Sequence, residues 1–231
     1  PRTLFPYTTL FRSIGVTTPV VDYIPTAEDL PAYCARVSNP ENQKNFDTAA
    51  GLLKYCMRVG HWSVFDMSNI VIEIEAPRDI ARQVLRHSSI KFQEFSQRYA
   101  EAQTFVIREA RMQDTKNRQN SVELDLTNQL DFNLMFEWDK RQAQVLDLVR
   151  ENYRWALDND IAKECARVIL PEGNTMSCIY ANGTVRQWIT YLKVRDDLGV
   201  TQKEHVDLAR KVKPAIIAHF PFLEQLMEKQ S

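Results

Sequence analysis

The stretch from about residue 127 to 159 sets the tightest limit on how this chain can fold. Met135, Trp138, Val145, Val149, Tyr153 and Ala156 recur there at heptad-like steps, and only Gln142 interrupts the stripe. That period predicts one continuous helix, about 50 Å long at 1.5 Å per residue. A small domain has too little core to cover such a rod, which favours packing against another subunit. A long core helix within one chain is the alternative.

The remaining elements are shorter. Thr26 can cap a helix running toward Val37, with Ala27, Glu28 and Asp29 in its first turn. Residues 46–59 read as a second helix that buries Leu52, Leu53, Cys56 and Val59 and stops at Gly60; residues 61–66 read as a loop. Ile70, Ile72 and Ile74 alternate with Val71, Glu73 and Glu75, the period of a strand. Pro77 opens the next helix in its first turn. Ile80, Ala81, Val84, Leu85 and Ser88 share one face of that helix. Gln83 and Arg86 lie on the other with Arg82, able to point together at one ligand, and His87 sits at the edge. Residues 98–108 read as a strand, 112–120 as a loop, 161–170 as a short helix stopped by Pro171, and 175–180 as a strand. Residues 184–194 are helical. A last helix starts at Thr201 with Glu204 in capping-box position, and Pro214 kinks it or ends its first half. Long helices on a small antiparallel sheet make an α+β fold, and without linker or repeat the chain reads as one domain.

Composition excludes several classes. Of 231 residues, 44% are hydrophobic and 26% charged, as in ordinary globular proteins. A net charge of −1 argues against a dedicated nucleic-acid binder. No apolar run approaches the length of a membrane-spanning helix. Cys34, Cys56, Cys165 and Cys178 are scattered without a CxxC pair, so reduced thiols in a cytoplasmic setting are expected. Four separated histidines suggest no metal centre. The TLFPYTTLFRS run from Thr3 to Ser13 resembles the in-frame translation of a sequencing-library adapter. Residues 1–13 are therefore expected to be a non-native leader, and 14–231 the functional domain.

Residues 83–99, QVLRHSSIKFQEFSQRY, concentrate the chemistry. Extended back to Arg78, the segment carries five cations (Arg78, Arg82, Arg86, Lys91, Arg98) against Asp79 and Glu94. Hydroxyls, amides and His87 stand among apolar Val84, Leu85, Ile90, Phe92 and Phe95. Such a mixture suits a wall anchored in a core and presenting a fork of donors, since arginine pairs bidentately with phosphate. A solvated charged face is the alternative.

RHSSIKFQEFSQRY also resembles the signature of flavin-dependent thymidylate synthases: RHR, seven residues, Ser, one residue, then Arg-Tyr. CARVS ending at Ser38, GHWSVFDM with His61 and Ser63, ECARVILP with Arg167, GTVRQWITYLKVR with Arg186 and Arg195, and TQKEH at 201–205 resemble further family segments in order. The resemblance covers about residues 35–221. It implies a thymidylate-synthase-complementing fold, homotetrameric with shared active sites. It also implies methylation of dUMP to dTMP, with FAD as cofactor and with NADPH and methylenetetrahydrofolate as co-substrates. No cysteine attacks the uracil in that family; Cys165 and Arg167, two apart on a helix, point away from each other.

By the same resemblance Gln83, Arg86, Glu94, Ser96, Gln97 (through its backbone), Arg98, Arg167 and Arg195 hold dUMP. Arg195 is the catalytic residue, a guanidinium beside the pyrimidine. Ser38, His61, Ser63, Arg86, His87, Ser88, Glu94, Thr184, Arg186 and Thr190 match flavin-contacting positions. For Glu94 an ion pair with Arg98 is the alternative, and for Arg186 a surface salt bridge. Arg186 and Arg195, nine residues apart, face opposite sides of their helix and can serve two pockets or two subunits. Thr184 stands where many members have Asn, Asp66 replaces Glu, and Met67 replaces His. Ser88 replaces the third signature residue, Arg, and Lys91 is the nearby cation that can compensate. Two readings compete with an active synthase. One is a flavin- or nucleotide-binding relative that has lost turnover through Ser88; the other is a nucleic-acid module using the Arg-rich strip.

Overall fold

The computed structural model describes residues 11–102 and 104–224. Its strands are β1 (Phe11–Val16), β2 (Asn69–Pro77), β3 (Lys91–Glu94), β4 (Arg111–Gln113), β5 (Ser121–Glu123) and β6 (Met176–Thr184). Its helices are α1 (Asp29–Ala35), α2 (Ala49–Val59), α3 (Arg78–Leu85), α4 (Gln129–Asp158), α5 (Lys163–Ala166), α6 (Val185–Arg195) and α7 (Lys203–Ile217). The main sheet is antiparallel in the order β1-β2-β6-β3, and β4 and β5 form a separate hairpin. This is the expected α+β architecture.

The period-2 pattern of β2 has its expected consequence. Ile70, Ile72 and Ile74 are fully buried, each contributing about 1.5–3 kcal/mol by leaving water. With Ile179 and Ala181 of β6 they meet Leu53 of α2, Ile80 and Val84 of α3, Trp188 and Leu192 of α6, and Leu208 and Val212 of α7. This core fixes α3, α6 and α7 on the sheet and so positions the polar groups described below. Gly60 ends α2 at φ +81°, where the His61 N–H reaches the Cys56 carbonyl at 2.8 Å, a closure that favours glycine.

Several boundaries differ from expectation. Thr26 accepts the Asp29 N–H at 3.2 Å, but α1 begins only at Asp29. Residues 46–48 form a 3-10 turn ahead of α2, whose Val59 is exposed. Residues 62–66 form another 3-10 turn in place of a loop. Pro77 is the cap rather than the first turn of α3, because it still pairs with Met176 in the sheet. That helix ends at Leu85, leaving Ser88 exposed beyond it. Among the described residues of 98–108 the pairing is an isolated bridge, Phe105 to Thr175, while 112–120 lie largely within the β4–β5 hairpin. The helix expected over 161–170 shrinks to α5 and a 3-10 turn, Arg167–Ile169. Glu204 forms no capping box; its buried carboxylate is drawn instead to Arg108 and Arg111 at 3.2 and 2.6 Å. Helix α7 runs on through Pro214 to Ile217.

The long helix is present as α4, 30 residues and about 45 Å long. Gln142 does not break its stripe. It is buried, its Oε1 accepts the Arg108 N–H at 2.8 Å, and its Nε2 donates to the Arg108 carbonyl at 2.7 Å. Tyr153 and Ala156 pack on Ala166 and Leu170, yet Phe136, Val145, Leu148 and Trp155 remain at least 56% exposed. One chain therefore covers only part of the helix. Among the described residues no helix is long and apolar enough to cross a membrane. Phe11–Ser13, expected to belong to a leader, lie in β1, where Arg12 donates to Glu73 at 2.9 Å; residues 1–10 of that expectation lie outside the described residues.

Candidate active site

The ends of α3 and α6 and the start of α7 converge on a polar knot set in the core. Gln83 donates through Nε2 to Gln202 Oε1 at 2.8 Å, and its Oε1 lies 3.2 Å from His205 Nδ1. His205 Nε2 is 3.1 Å from the Tyr191 hydroxyl. His87 packs edge-on to Tyr191 with centroids 4.9 Å apart. Arg195 Nε donates to His87 Nε2 at 2.8 Å. Tyr191 and Arg195 can act together because i and i+4 share a helix face.

Electrostatics keep this knot neutral apart from Arg195. Burial first, then the Arg195 charge, lowers the His87 pKa. Burial, Arg195 and His87 lower His205 to about 3. Burial raises the Tyr191 phenol well above its ordinary value. Both imidazoles are thus held neutral near neutral pH, and His87 accepts from Arg195, whose Nη edge is left to meet a ligand.

A second group lies where β3 ends. Glu94 faces the buried Arg78 at 3.4 Å and the Ser177 hydroxyl at 3.4 Å. The Glu94–Arg98 alternative is not what forms: Arg98 Nε donates to Glu164 of α5 at 3.1 Å. That bond ties the 96–98 segment to α5, which Arg167 directly follows in the chain. Ser96 Oγ accepts the Arg98 N–H at 3.3 Å. Gln97 is buried at 5% exposure and its Nε2 has no hydrogen-bond partner, a deficit of about 1–3 kcal/mol that a ligand acceptor would remove. Its side chain, and not only its backbone, thus offers a donor beside Ser96 and Arg98.

Two of the flavin-matching residues, Thr184 and Arg186, meet at Asp66. Its carboxylate accepts from Thr184 Oγ1 at 2.9 Å and from Arg186 Nη1 at 3.1 Å, so the shorter acid reaches both. Thr184 also caps α6 in a capping box with Gln187. Arg186, Thr190 and Lys193 form an exposed face of α6 at i, i+4 and i+7, and Lys193 lies over Trp62 at 4.9 Å. His61 and Ser63 are exposed on the same 3-10 turn segment as Trp62. Cations and hydroxyls in this arrangement fit a diphosphate-bearing cofactor.

Three expected ligands stand apart from these groups. Ser38 lines a concavity with Arg36, Asn42 and Thr48. Arg86 and Ser88 are exposed past the end of α3, so Arg86 does not converge with the inward-turned Gln83. Lys91 Nζ lies 3.5 Å from the Ser88 carbonyl, so a cation stands near the residue that replaces the signature arginine. Arg186 lies on Asp66 and Arg195 on His87, in different neighbourhoods. Tyr191, Gln202, His205 and Arg78 join these groups without being among the expected ligands. The sequence signal for His205 is its helical register with the buried Leu208, Ala209 and Val212. Among the cysteines, burial raises the thiol pKa of Cys34, Cys56 and Cys178, the opposite of an activated nucleophile.

Residues 19–222 match the family model described as thymidylate synthase complementing protein. A probable flavin-dependent thymidylate synthase of Paramecium bursaria Chlorella virus 1 is 49% identical over 94% of this chain and 98% of its own. The flavin-dependent thymidylate synthase of Synechocystis is 45% identical over 94% and 98%. A crystal structure of the UMP/dUMP methylase PolB from Streptomyces cacaoi, bound with 5-Br dUMP, superposes with a TM-score of 0.74 at 23% identity. It covers 93% of this chain and 92% of that one, so the two share a fold. Identity near one half along almost the full length of two relatives settles the kinship: the chain belongs to the flavin-dependent thymidylate synthase family.

Proposed function

We propose that this chain methylates dUMP to dTMP, with methylenetetrahydrofolate as carbon donor, FAD as cofactor and NADPH as reductant. The observation that carries the reading is Arg195, fixed through Nε on a neutral His87 beside the oriented amide of Gln83. A guanidinium held in advance stabilises negative charge developing on a pyrimidine without reorganising during the reaction. Gln83 and Glu94 orient the nucleotide. Ser96, the buried N–H of Gln97, Arg98 and Arg167 suit its sugar and phosphate, where forked charge-assisted bonds are strongest. When bound, the flavin supplies hydride to the transferred one-carbon unit. The α6 face of Arg186 and Thr190, with His61 and Ser63, would hold it.

The same reading includes a homotetramer in the cytoplasm. One chain leaves Ser38, Arg86 and Ser88 apart from the other groups, and it leaves an apolar α4 face uncovered. Sites shared between subunits reconcile both facts. Purified protein incubated with dUMP, methylenetetrahydrofolate and NADPH should form dTMP in a dUMP-dependent manner. A flavin spectrum without turnover would favour the binding-only relative, and neither flavin nor turnover would overturn both.

A further inference from the structure

We propose that His205 is a positioning residue which, with Tyr191 behind it, locks the amide of Gln83 in one orientation and so sets what this side chain offers the nucleotide. The inference rests on Gln83 meeting dUMP.

The hydrogen-bond directions follow from chemistry at each atom. Gln83 turns its Oε1, an acceptor, toward His205 Nδ1, so the neutral imidazole accepts at Nε2 from the buried Tyr191 O–H at 3.1 Å. A neutral imidazole accepting at Nε2 carries its proton on Nδ1. That N–H donates to Gln83 Oε1 at 3.2 Å, and Gln83 Nε2 donates onward to Gln202 Oε1 at 2.8 Å. With this tautomer and with Gln202 Oε1 facing Gln83, a flip of the Gln83 amide would oppose N–H to N–H at His205 and oxygen to oxygen at Gln202. Gln83 retains one uncommitted N–H and one carbonyl lone pair, both in fixed directions. His205 is itself fully buried, so this lock does not exchange with solvent. Tyr191 also carries the edge-on contact to His87, which in turn holds Arg195. The two side chains expected at the nucleotide are thereby set relative to each other through one buried phenol.

The test compares His205→Leu, His205→Asn and Tyr191→Phe in the full-length flavin-loaded protein, reading dUMP affinity by calorimetry alongside kcat and KM. Asn places an N–H near the former Nδ1 and keeps the donor to Gln83; Leu removes it. Expected is a dUMP Kd raised about 3–10-fold in His205→Leu, the scale of one hydrogen bond. His205→Asn should recover most of that loss, KM should rise more than kcat falls, and Tyr191→Phe should give a smaller effect of the same sign. In a Gln83→Ala background, His205→Leu should produce no further loss, whereas a merely structural role would weaken binding in both backgrounds. An unchanged Kd in His205→Leu, or equal loss in folded His205→Asn, would overturn the proposal. If His205→Leu fails to fold, unchanged dUMP affinity in Tyr191→Phe would overturn it as well. A parent protein that does not bind dUMP at all would instead remove the proposed function.

Discussion

Arg195 Nε and His87 Nε2 are 2.8 Å apart, with the guanidinium as donor and a neutral imidazole as acceptor. The bond consumes one edge of the arginine and aims the other. Replacing Arg195 by Ala should lower kcat by about 100-fold or more, as loss of a pre-aimed electrostatic group does. Lysine should not rescue it, because a point charge lacks the fork. Full activity in Arg195→Ala would show that the pyrimidine is stabilised elsewhere.

The same pair predicts an acidic limb. Protonated His87 would set a donor against a donor and release Arg195. Because its pKa lies below the ordinary 6.5, kcat/KM should hold above pH 6.5 and fall below it as the folded-state pKa is crossed. His87→Gln, which keeps an acceptor that does not titrate, should flatten that limb; an identical profile in the variant would sink the assignment.

His205 predicts how stability depends on pH. Its pKa is about 3 when folded and 6.5 when free, so below pH 6.5 the unfolded chain takes up a proton that the folded one refuses. Stability from this group is therefore intact above pH 6.5. It drops by about 1.4 kcal/mol per pH unit on the way to pH 3. Urea unfolding of the parent and of His205→Asn at pH 7.5 and 5 checks it: the variant should show the shallower pH dependence.

Ser88 and Lys91 bear on flavin affinity together. Ser88→Arg should tighten FAD binding by about 1.5–3 kcal/mol, the scale of a charged hydrogen bond. Lys91→Ala should weaken it, since Lys91 Nζ stands 3.5 Å from the Ser88 carbonyl. Fluorescence titration with FAD measures both, and equal affinity in all three proteins would refute the compensation.

Glu204 is buried between Arg108 and Arg111 at 3.2 and 2.6 Å. Glu204→Gln removes the carboxylate the two guanidiniums share and leaves Arg108 with Asp79 at 2.8 Å and Arg111 with the half-exposed Glu109 at 3.1 Å. Breaking a buried ionic group this way costs about 3–5 kcal/mol, visible as a lowered melting temperature. A change within 1 °C would mean the triad is solvated.

Helix α4 predicts assembly. Val145→Asp with Leu148→Asp should dissociate the proposed oligomer without unfolding the chain, because both side chains are more than half exposed in one chain. Sedimentation velocity reads the outcome, and an unchanged distribution would place the interface elsewhere.

The sequence by itself determined whatever depends on neighbours along the chain. The isoleucine alternation of β2, the length of α4, the glycine stop of α2 and the opposite facing of Arg186 and Arg195 are all local geometry. So is the ordered set of motifs that resembled a family. Only the tertiary structure decided which polar groups satisfy one another. Gln142 looked like a break in a stripe, yet it lies buried on the backbone of Arg108, 34 residues away. Glu204 looked like a cap and became the counter-ion of two arginines. Gln83 looked paired with Arg86 but turned inward to His205, 122 residues on. The reason is physical: a buried donor or acceptor must find a partner wherever the fold places one, and that choice is made across space. The long helix of residues 127–159 shows both halves, its period written in sequence and its covering left to whatever packs against it.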